Sequence, residues 1–204
     1  MSENALDIDQ KLQNAELLIL GCSAGGFLLV YNFLLKLPAN FPLPVVVIIH
    51  RSRSYKSLIE EHLNGLSSLN IKMADDKESI KSGTVYFAPP DYHLLVETDK
   101  TLSLDNSEPV HFCRPAIDVT FQTAADTYQD KLIAILLSGA NSDGADGMEY
   151  ISELNGLTIV QQPEEAEVDI MPKAAINRGN IDLVLKMDEI TSLIHKIVKL
   201  KSNF

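Results

Sequence analysis

The sequence predicts a doubly wound α/β domain with a mainly parallel sheet, helices on both faces and a small antiparallel extension. Short runs rich in Leu, Ile and Val alternate with longer segments of helical period. Several of these runs are apolar on both faces, which suits interior strands covered by helices. A length of 204 residues and a hydrophobic fraction of 46% are sufficient for one well-packed core.

The predicted elements alternate regularly along the chain. Residues 1–15 are polar and acidic and are predicted to form an N-terminal tail, followed by the folded domain at residues 16–204. Strands are predicted at residues 16–20, 45–49, 84–88, 132–137, 157–161 and 181–185. Helices are predicted at residues 25–37, 56–66, 116–129, 144–154, 172–178 and 188–200. The stretch 86–105 breaks this alternation and predicts the antiparallel extension, with turns at 89–91 and 99–100.

The composition argues against several classes of protein. A formal charge of -11 is unsuited to duplex nucleic acid, whose binding needs a basic face. Two cysteines, Cys22 and Cys113, are too few for a disulfide framework and lack metal-type spacing, which favours a reduced, cytoplasmic setting. The polar start has no signal-type core, and no apolar run approaches the roughly 20 residues that span a bilayer. We therefore expect a cytoplasmic protein that neither binds nucleic acid nor inserts into a membrane.

The turn "GCSAGG" after the first predicted strand is the first candidate site. It is not a phosphate-binding Walker loop, because no Gly-Lys-Ser/Thr follows, and it lacks the second glycine of the dinucleotide fingerprint. It matches G-x-S-x-G between a strand and a helix, an arrangement that exposes the hydroxyl of Ser23. The alternative is that Ser23 merely caps the helix that follows.

Two partners for Ser23 are predicted at the same edge of the sheet. His50 directly follows one strand and Asp143 follows another, and the carboxyl ends of parallel strands lie side by side. A neutral imidazole can accept the proton of a hydroxyl, and a carboxylate can orient the imidazole. Each residue also has a structural alternative. His50 could bond a loop carbonyl, and Asp143 could cap the helix that begins at Gly144.

Beyond the first fifteen residues, the chain resembles the CheB-type chemotaxis protein-glutamate methylesterase catalytic domain. The family's G-x-S-T-G-G turn corresponds to "GCSAGG", and its strand ending in histidine to "VVIIH". Its P-x-D-x-H, R-P-x-x-D and T-G-x-x-x-D-G motifs correspond to Pro89–His93, Arg114–Asp118 and "SGANSDGADG". A later Q…MP-x-A-A segment corresponds to Gln161–Ile176. The resemblance implies that Ser23 is the nucleophile, His50 the general base and Asp143 the acid that orients it.

This chain departs from the family pattern beside the site. The family's threonine after the nucleophile is Ala24, its Met-Gly pair is Ala140-Asn141, and the segment after His50 is "RSRS". Ala24 and Ala140 are candidate substrate or oxyanion positions. The amide of Ala140 can still contribute to an oxyanion hole, because a backbone donor does not depend on the side chain. We therefore expect these changes to affect substrate preference more than chemistry.

Other side chains have two interpretations each. His93 and Arg114 could line the cleft or anchor loops. Cys22 is predicted to pack inward, because neighbouring residues at a strand end point in opposite directions. The loop "NSDGADG" resembles a calcium loop but lacks required ligands, so no metal is predicted. A basic cluster of Arg51, Arg53 and Lys56 could orient a glutamate-rich substrate or form surface ion pairs.

The resemblance implies hydrolysis of glutamate γ-methyl esters, and deamidation of glutamines, on the cytoplasmic helices of methyl-accepting chemotaxis receptors without any cofactor. Two alternatives stay open: a small-molecule serine esterase, and a non-catalytic receptor-binding module on the same fold. The first predicted strand begins at residue 16, so no receiver domain, which needs on the order of 100 residues, is expected before it. Control would then come from a separate regulatory partner, from expression or from receptor conformation.

Overall fold

A seven-stranded parallel sheet forms the centre of the protein, as seen in a computed structural model that describes residues 3–51 and 59–202. The strand order is β10-β9-β8-β1-β2-β5-β3, and a separate antiparallel sheet has the order β4-β7-β6. The strands are β1 Leu17–Cys22, β2 Val45–Ile49, β3 Asn70–Met73, β4 Glu78–Ser79, β5 Thr84–Phe87, β6 His93–Val96, β7 Thr101–Asp105, β8 Leu132–Leu136, β9 Leu157–Gln161 and β10 Leu183–Leu185. The predicted fold class is confirmed.

Helices cover both faces of the parallel sheet. They are α1 Glu3–Asn14, α2 Phe27–Lys36, α3 Ile59–Leu66, α4 Ile117–Tyr128, α5 Ala145–Glu153, α6 Ile170–Arg178 and α7 Met187–Lys201. Short 3₁₀ turns occur at Gln129–Lys131 and Pro163–Glu165. None of the helices in the described part of the chain combines the length and apolar composition that a bilayer crossing requires.

Alternate side chains of β1 belong to two separate clusters of the hydrophobic core, one on each face of the sheet. Leu18 and Leu20 pack into the cluster formed with α1, α2, α3 and α7, whereas Leu17 and Ile19 pack into the cluster formed with α4, α5 and α6. Successive side chains of a strand point to opposite faces, so a strand covered on both sides must be apolar at every position. All six residues of β1 are buried, which explains why the sequence predicts this strand so clearly.

The first fifteen residues differ from the predicted polar tail. Glu3–Asn14 is helix α1, and its Leu12 is fully buried in the core beside α7. Lys11 strengthens this docking by an ion pair with Asp182 at 3.0 Å. A helix that buries one narrow stripe retains a mostly polar composition, so its sequence alone resembles a solvated tail.

Two short strands are also missing from the sequence prediction. In β3 only Ile71 is buried, because this strand lies at the edge of the parallel sheet. Strand β4 has two residues and belongs to the antiparallel extension. Neither contains an apolar run, so periodicity could not reveal them. The expected extension itself is confirmed by the pairing of β6 with β7, whose turn places Lys100 at φ 63°.

Strand β1 is the topological switch point of the parallel sheet. The sheet continues from β1 to β2 on one side and from β1 to β8 on the other. Cys22 is level with Ile49 of β2, and Gly21 is level with Leu136 of β8. The loops after these three strands therefore meet at one edge of the sheet, where doubly wound proteins bind their ligands. Ser23 and His50 are the next residues along β1 and β2, so the register brings them side by side.

We predict that Leu12→Ala destabilises the protein by about 2–5 kcal/mol, because it removes a fully buried side chain from the core. Leu6→Ala, in the same helix, is the control; its side chain is 52% exposed, and a change within about 0.5 kcal/mol is expected. Urea unfolding of both variants measures the difference. Equal effects at the two positions would contradict the docking of α1.

Candidate active site

Ser23 lies in a tight turn between β1 and α2. Its amide donates to the Ser138 carbonyl at 2.9 Å, and its carbonyl accepts from Gly26 at 3.0 Å. The turn depends on Gly25, which has φ +75° and whose added Cβ would lie 2.6 Å from Cβ of Glu167. Residue Gly26 is the N-cap of α2 and no side chain caps that helix. The alternative interpretation of Ser23 as a helix cap is therefore wrong.

His50 stands beside this turn at the end of β2. Its amide donates to the Cys22 carbonyl at 3.3 Å, which extends the β1–β2 pairing up to the turn. Its side chain is 13% exposed, so the ring lies mostly within the protein but retains access to the cleft. The ring Nε2 lies 2.7 Å from Oδ2 of Asp143. The structure thus brings together His50 and Asp143, which are 93 residues apart in the chain.

The Asp143 carboxylate is fully buried and accepts three hydrogen bonds. Besides His50, the donors are the amides of Ile117 at 2.7 Å and Asp118 at 3.0 Å, at the beginning of α4. Burial alone would raise the pKa of Asp143, but the His50 hydrogen bond and the two amides outweigh it, so this pKa is lowered. Helix α5 begins after Gly144 without a side-chain cap. Asp143 therefore does not cap the helix that follows it; its carboxylate binds the start of α4.

The contact with Asp143 determines which ring nitrogen of His50 is available to a substrate. A neutral imidazole that donates through Nε2 has its lone pair on Nδ1. That Nδ1 lies 3.5 Å from Sγ of Cys113, and the same sulfur lies 3.3 Å from Nδ2 of Asn141. The motifs do not assign Cys113 to the site. Its position directly before the R-P-x-x-D motif was the only signal that could have indicated it.

The two cysteines lie in different environments. Cys22 is fully buried, which raises the pKa of its thiol to about 12 and confirms the predicted inward packing. Cys113 is half-buried; burial raises its pKa, the Asn141 amide opposes this, and the Asp143 charge adds to it. Both thiols are therefore protonated at neutral pH, and Cys113 can donate its S–H to Nδ1 of His50.

A cleft of about 260 Å³ opens beside His50. It is lined by His50, Arg51, Phe112, Cys113, Arg114 and Pro115. Phe112 is completely exposed at its mouth, whereas His50 and Cys113 lie deeper. The cleft is small and open, which suits a single side chain of a larger substrate better than a bulky cofactor.

The chain is similar to proteins of known family and structure. The pattern of the family described as CheB methylesterase matches residues 18–194. The chain belongs to the CheB methylesterase family. The crystal structure of the Thermotoga maritima CheB methylesterase catalytic domain superposes with a TM-score of 0.84 and 33% identity, covering 91% of this chain and 98% of that one.

Individual members of the family differ in length. A relative from Leptospira interrogans is 45% identical over 184 residues, which are 90% of this chain and 95% of that protein. The protein-glutamate methylesterase/protein-glutamine glutaminase of Thermotoga maritima is 33% identical over 196 residues, 95% of this chain and 57% of that protein. This chain therefore spans almost all of the first relative and little more than half of the second.

Ala24 and Ala140 are the candidate positions for an oxyanion hole. Ala24 and Ala140 are exposed on the loops after β1 and β8. The Ser138 hydroxyl links these loops, since it lies 2.8 Å from the Ala24 carbonyl and accepts from the Val168 amide at 2.9 Å. Ser138 is fully buried, and the sequence pattern does not indicate this role for it. The role of Ala24 and Ala140 stays a prediction.

The structure places His93 away from the cleft. It is 1% exposed; its Nδ1 accepts from the Ala116 amide at 3.2 Å, and its Nε2 donates to the Glu108 carbonyl at 3.1 Å. These contacts tie together the two ends of the loop before α4. Loop anchoring, one of the two interpretations offered above, is therefore the role that the contacts of His93 support.

Arg114 both lines the cleft and anchors a loop. It lines the cleft, and its Nη1 donates to the carbonyls of Asn106 at 2.8 Å and Ser107 at 2.7 Å. The guanidinium thus holds the same loop from its outer side. Because Nη1 is already engaged, Arg114 is better placed to shape the cleft than to bind a charged substrate group.

The basic cluster after His50 can be described only in part. The guanidinium of Arg51 pairs with Glu60 at 2.5 Å, donates to the Ala88 carbonyl at 3.2 Å and stacks over Phe87. Only 12% of the Arg51 side chain is exposed, so it packs as an internal ion pair and is not part of an open basic rim. Arg53 and Lys56 lie outside the described residues.

His50, Cys113 and Asp143 carry donor atoms suited to a metal, but their geometry does not support one ion. Asp143 lies at the Nε2 edge of the imidazole and Cys113 at its Nδ1 edge. A single ion binds one ring nitrogen along its lone pair, so it cannot reach both neighbours. Within the described residues, this trio is better explained as a hydrogen-bonded chain through the imidazole.

We predict that Asp143→Asn lowers the free energy of unfolding by about 1.5–3 kcal/mol at pH 7, because a buried acceptor of charge-assisted hydrogen bonds is lost. The folded-state pKa of Asp143 lies below its unfolded value of about 3.9, so the carboxylate stabilises the fold above that pH. This contribution disappears as the pH falls through the folded-state pKa. The difference between the wild-type chain and the variant should therefore shrink in acid.

Urea unfolding at several pH values measures this difference. Asp7→Asn is the control, because Asp7 is exposed, and a change within about 0.5 kcal/mol is expected at every pH. A destabilisation by Asp143→Asn that grows on acidification would contradict the lowered pKa.

Proposed function

We propose that this chain hydrolyses glutamate γ-methyl esters, and deamidates glutamines, on the cytoplasmic helices of methyl-accepting chemotaxis receptors. The observation that carries the proposal is the His50–Asp143 pair at 2.7 Å, held at the sheet edge directly beside Ser23. Membership of the CheB methylesterase family supplies the reaction class. The relative from Thermotoga maritima carries both activities in its name.

In the proposed first step, Oγ of Ser23 attacks the ester carbonyl while Nδ1 of His50 takes the hydroxyl proton. The carbonyl π electrons move to oxygen, giving an oxyanion that the Ala24 and Ala140 amides stabilise. Asp143 holds the ring and stabilises its positive charge through Nε2. Collapse of this intermediate breaks the bond to methoxide, which takes the proton from Nδ1 and leaves as methanol.

The second step releases the glutamate. Water attacks the acyl group on Ser23 as His50 accepts one of its protons, and the bond to Oγ then breaks as that proton returns to the serine. The products are a carboxylate, a proton and a regenerated enzyme. A glutamine side chain follows the same route with ammonia as the leaving group, and neither reaction consumes a cofactor.

Cys113 is a second candidate for the nucleophile, because its sulfur contacts the same nitrogen that must activate Ser23. Its thiol is protonated at neutral pH, and burial raises its pKa further. Ser23 has the better position, at the turn after the central strand and beside the loop of Ala140. We therefore assign the acyl-enzyme to Ser23 and a supporting contact to Cys113.

We expect Ser23→Ala to lower turnover by about 10⁴- to 10⁶-fold, since members of a triad act as a unit. Cys113→Ala should lower it by less than about 10-fold, because the His50–Asp143 contact remains. Single-turnover hydrolysis of the receptor ester gives both values. If Cys113→Ala abolished turnover while Ser23→Ala preserved it, the acyl group would belong on Cys113.

Incubation with a receptor cytoplasmic fragment carrying radiolabelled methyl esters tests the substrate class. We expect labelled methanol to be released by the wild-type chain and not by Ser23→Ala, and ammonia to be released from an unmethylated fragment containing glutamine. p-Nitrophenyl acetate in a parallel arm tests the small-molecule alternative. Fast cleavage of this ester without methanol release would favour a general esterase, and receptor binding without either product would favour a binding module.

A further inference from the structure

A second cluster of side chains that could hold a metal ion lies at the N-terminal ends of α4 and α5. It consists of His111 in the loop before α4, Asp118 in the first turn of α4 and Asp146 in the first turn of α5. Each of the three offers one donor atom within 4.8 Å of the other two. The side chains of these three residues have no part in the hydrolysis described above.

Asp118 is the unusual member of this cluster, because it is buried without a full set of partners. It is 3% exposed, and its Oδ1 accepts from the Gly147 amide at 2.7 Å. Its Oδ2 has no hydrogen-bond partner among the described residues. A buried carboxylate oxygen without a donor is costly, more so for a charged group than for a neutral one.

No lysine or arginine in the described part of the chain pairs with Asp118. The neighbouring cation, Arg178, pairs with Oδ1 of Asp146. The nearest basic atom to Oδ2 of Asp118 is Nε2 of His111 at 3.6 Å, which is too long for a hydrogen bond. A buried carboxylate oxygen therefore faces an imidazole nitrogen at a distance longer than a hydrogen bond.

That spacing suits two ligands of one metal ion. Two ligands bound about 2.1 Å from a tetrahedral ion stand about 3.4 Å apart, close to the 3.6 Å separation of the two atoms. Asp146 can contribute one carboxylate oxygen, and its Oδ1 also pairs with Arg178. One imidazole with two carboxylates favours ions of the zinc type over Mg²⁺ and Ca²⁺, which prefer oxygen ligands throughout.

We propose that His111, Asp118 and Asp146 form a binding site for a divalent transition-metal ion such as Zn²⁺. The ion would join the loop before α4 to the first turns of α4 and α5. The amide of Asp118 also donates to Asp143. The ion would therefore stabilise the start of α4, which holds the Asp143 carboxylate, without contacting substrate. Its role is structural, so the proposal stands or falls independently of the hydrolytic function.

Calorimetric titration of the EDTA-treated full chain with ZnCl₂ at neutral pH tests the site. We expect one high-affinity ion per chain and a thermal midpoint that rises with Zn²⁺ concentration. His111→Ala should weaken binding by at least about 10-fold, because loss even of an outer-shell partner costs about 10- to 100-fold. His62→Ala, which removes an exposed imidazole elsewhere, is the control and should bind Zn²⁺ as the wild-type chain does.

Two further measurements test where the ion binds. Asp118→Asn should weaken binding like His111→Ala, and a failure of that variant to fold leaves the His111→Ala result to decide. Co²⁺ bound in place of Zn²⁺ should give visible d–d absorption without the near-ultraviolet band of a thiolate ligand. Undetectable Zn²⁺ binding, equal binding by His111→Ala and His62→Ala, or a thiolate band lost in Cys113→Ser would each overturn the proposal.

Discussion

The burial of the Asp143 carboxylate is the constraint on which the arrangement of the site depends. A charged oxygen inside a protein needs donors, and Asp143 obtains them from two amides of α4 and from the His50 ring. The same contacts position three elements at once: the loop after β8, the start of α4 and the end of β2. Because free helix amides favour a negative charge, α4 holds the carboxylate ionised in an environment that would otherwise protonate it.

Close backbone packing makes this contact possible. A Cβ added to Gly144, which has φ +94°, would lie 2.8 Å from Cγ2 of Ile117, and one added to Gly21 would lie 2.6 Å from the same atom. Glycine at both positions lets the first residue of α4 settle between the ends of β1 and β8. The amide of Ile117 then reaches Asp143. Gly21 and Gly144 therefore allow α4 to pack closely against the sheet, in addition to forming the turns in which they occur.

The site also has a feature that its motifs do not indicate. Cys113 and Asn141 extend the chain of contacts from Asp143 through His50 to the far side of the imidazole. The hydroxyl of Ser138 connects the turn of Ser23 with the loop of Val168. These contacts connect the segments that carry Ser23 and His50 to the neighbouring loops. The chain's departures from the family pattern at Ala24 and Ala140 are at exposed positions.

The sequence by itself determined the fold class, the central strands and the edge at which Ser23, His50 and Asp143 follow their strands. Apolar runs buried on both faces and motifs placed after them are local signals, so β1, β2, β8 and β9 could be predicted. Tertiary structure alone decided that α1 docks through Leu12 and that β3 pairs at the sheet edge. It also decided that Asp143 binds the start of α4, that Cys113 contacts His50, and that His93 anchors a loop. Each of these depends on contacts between residues far apart in the chain, and hydrophobic periodicity carries no information about such contacts.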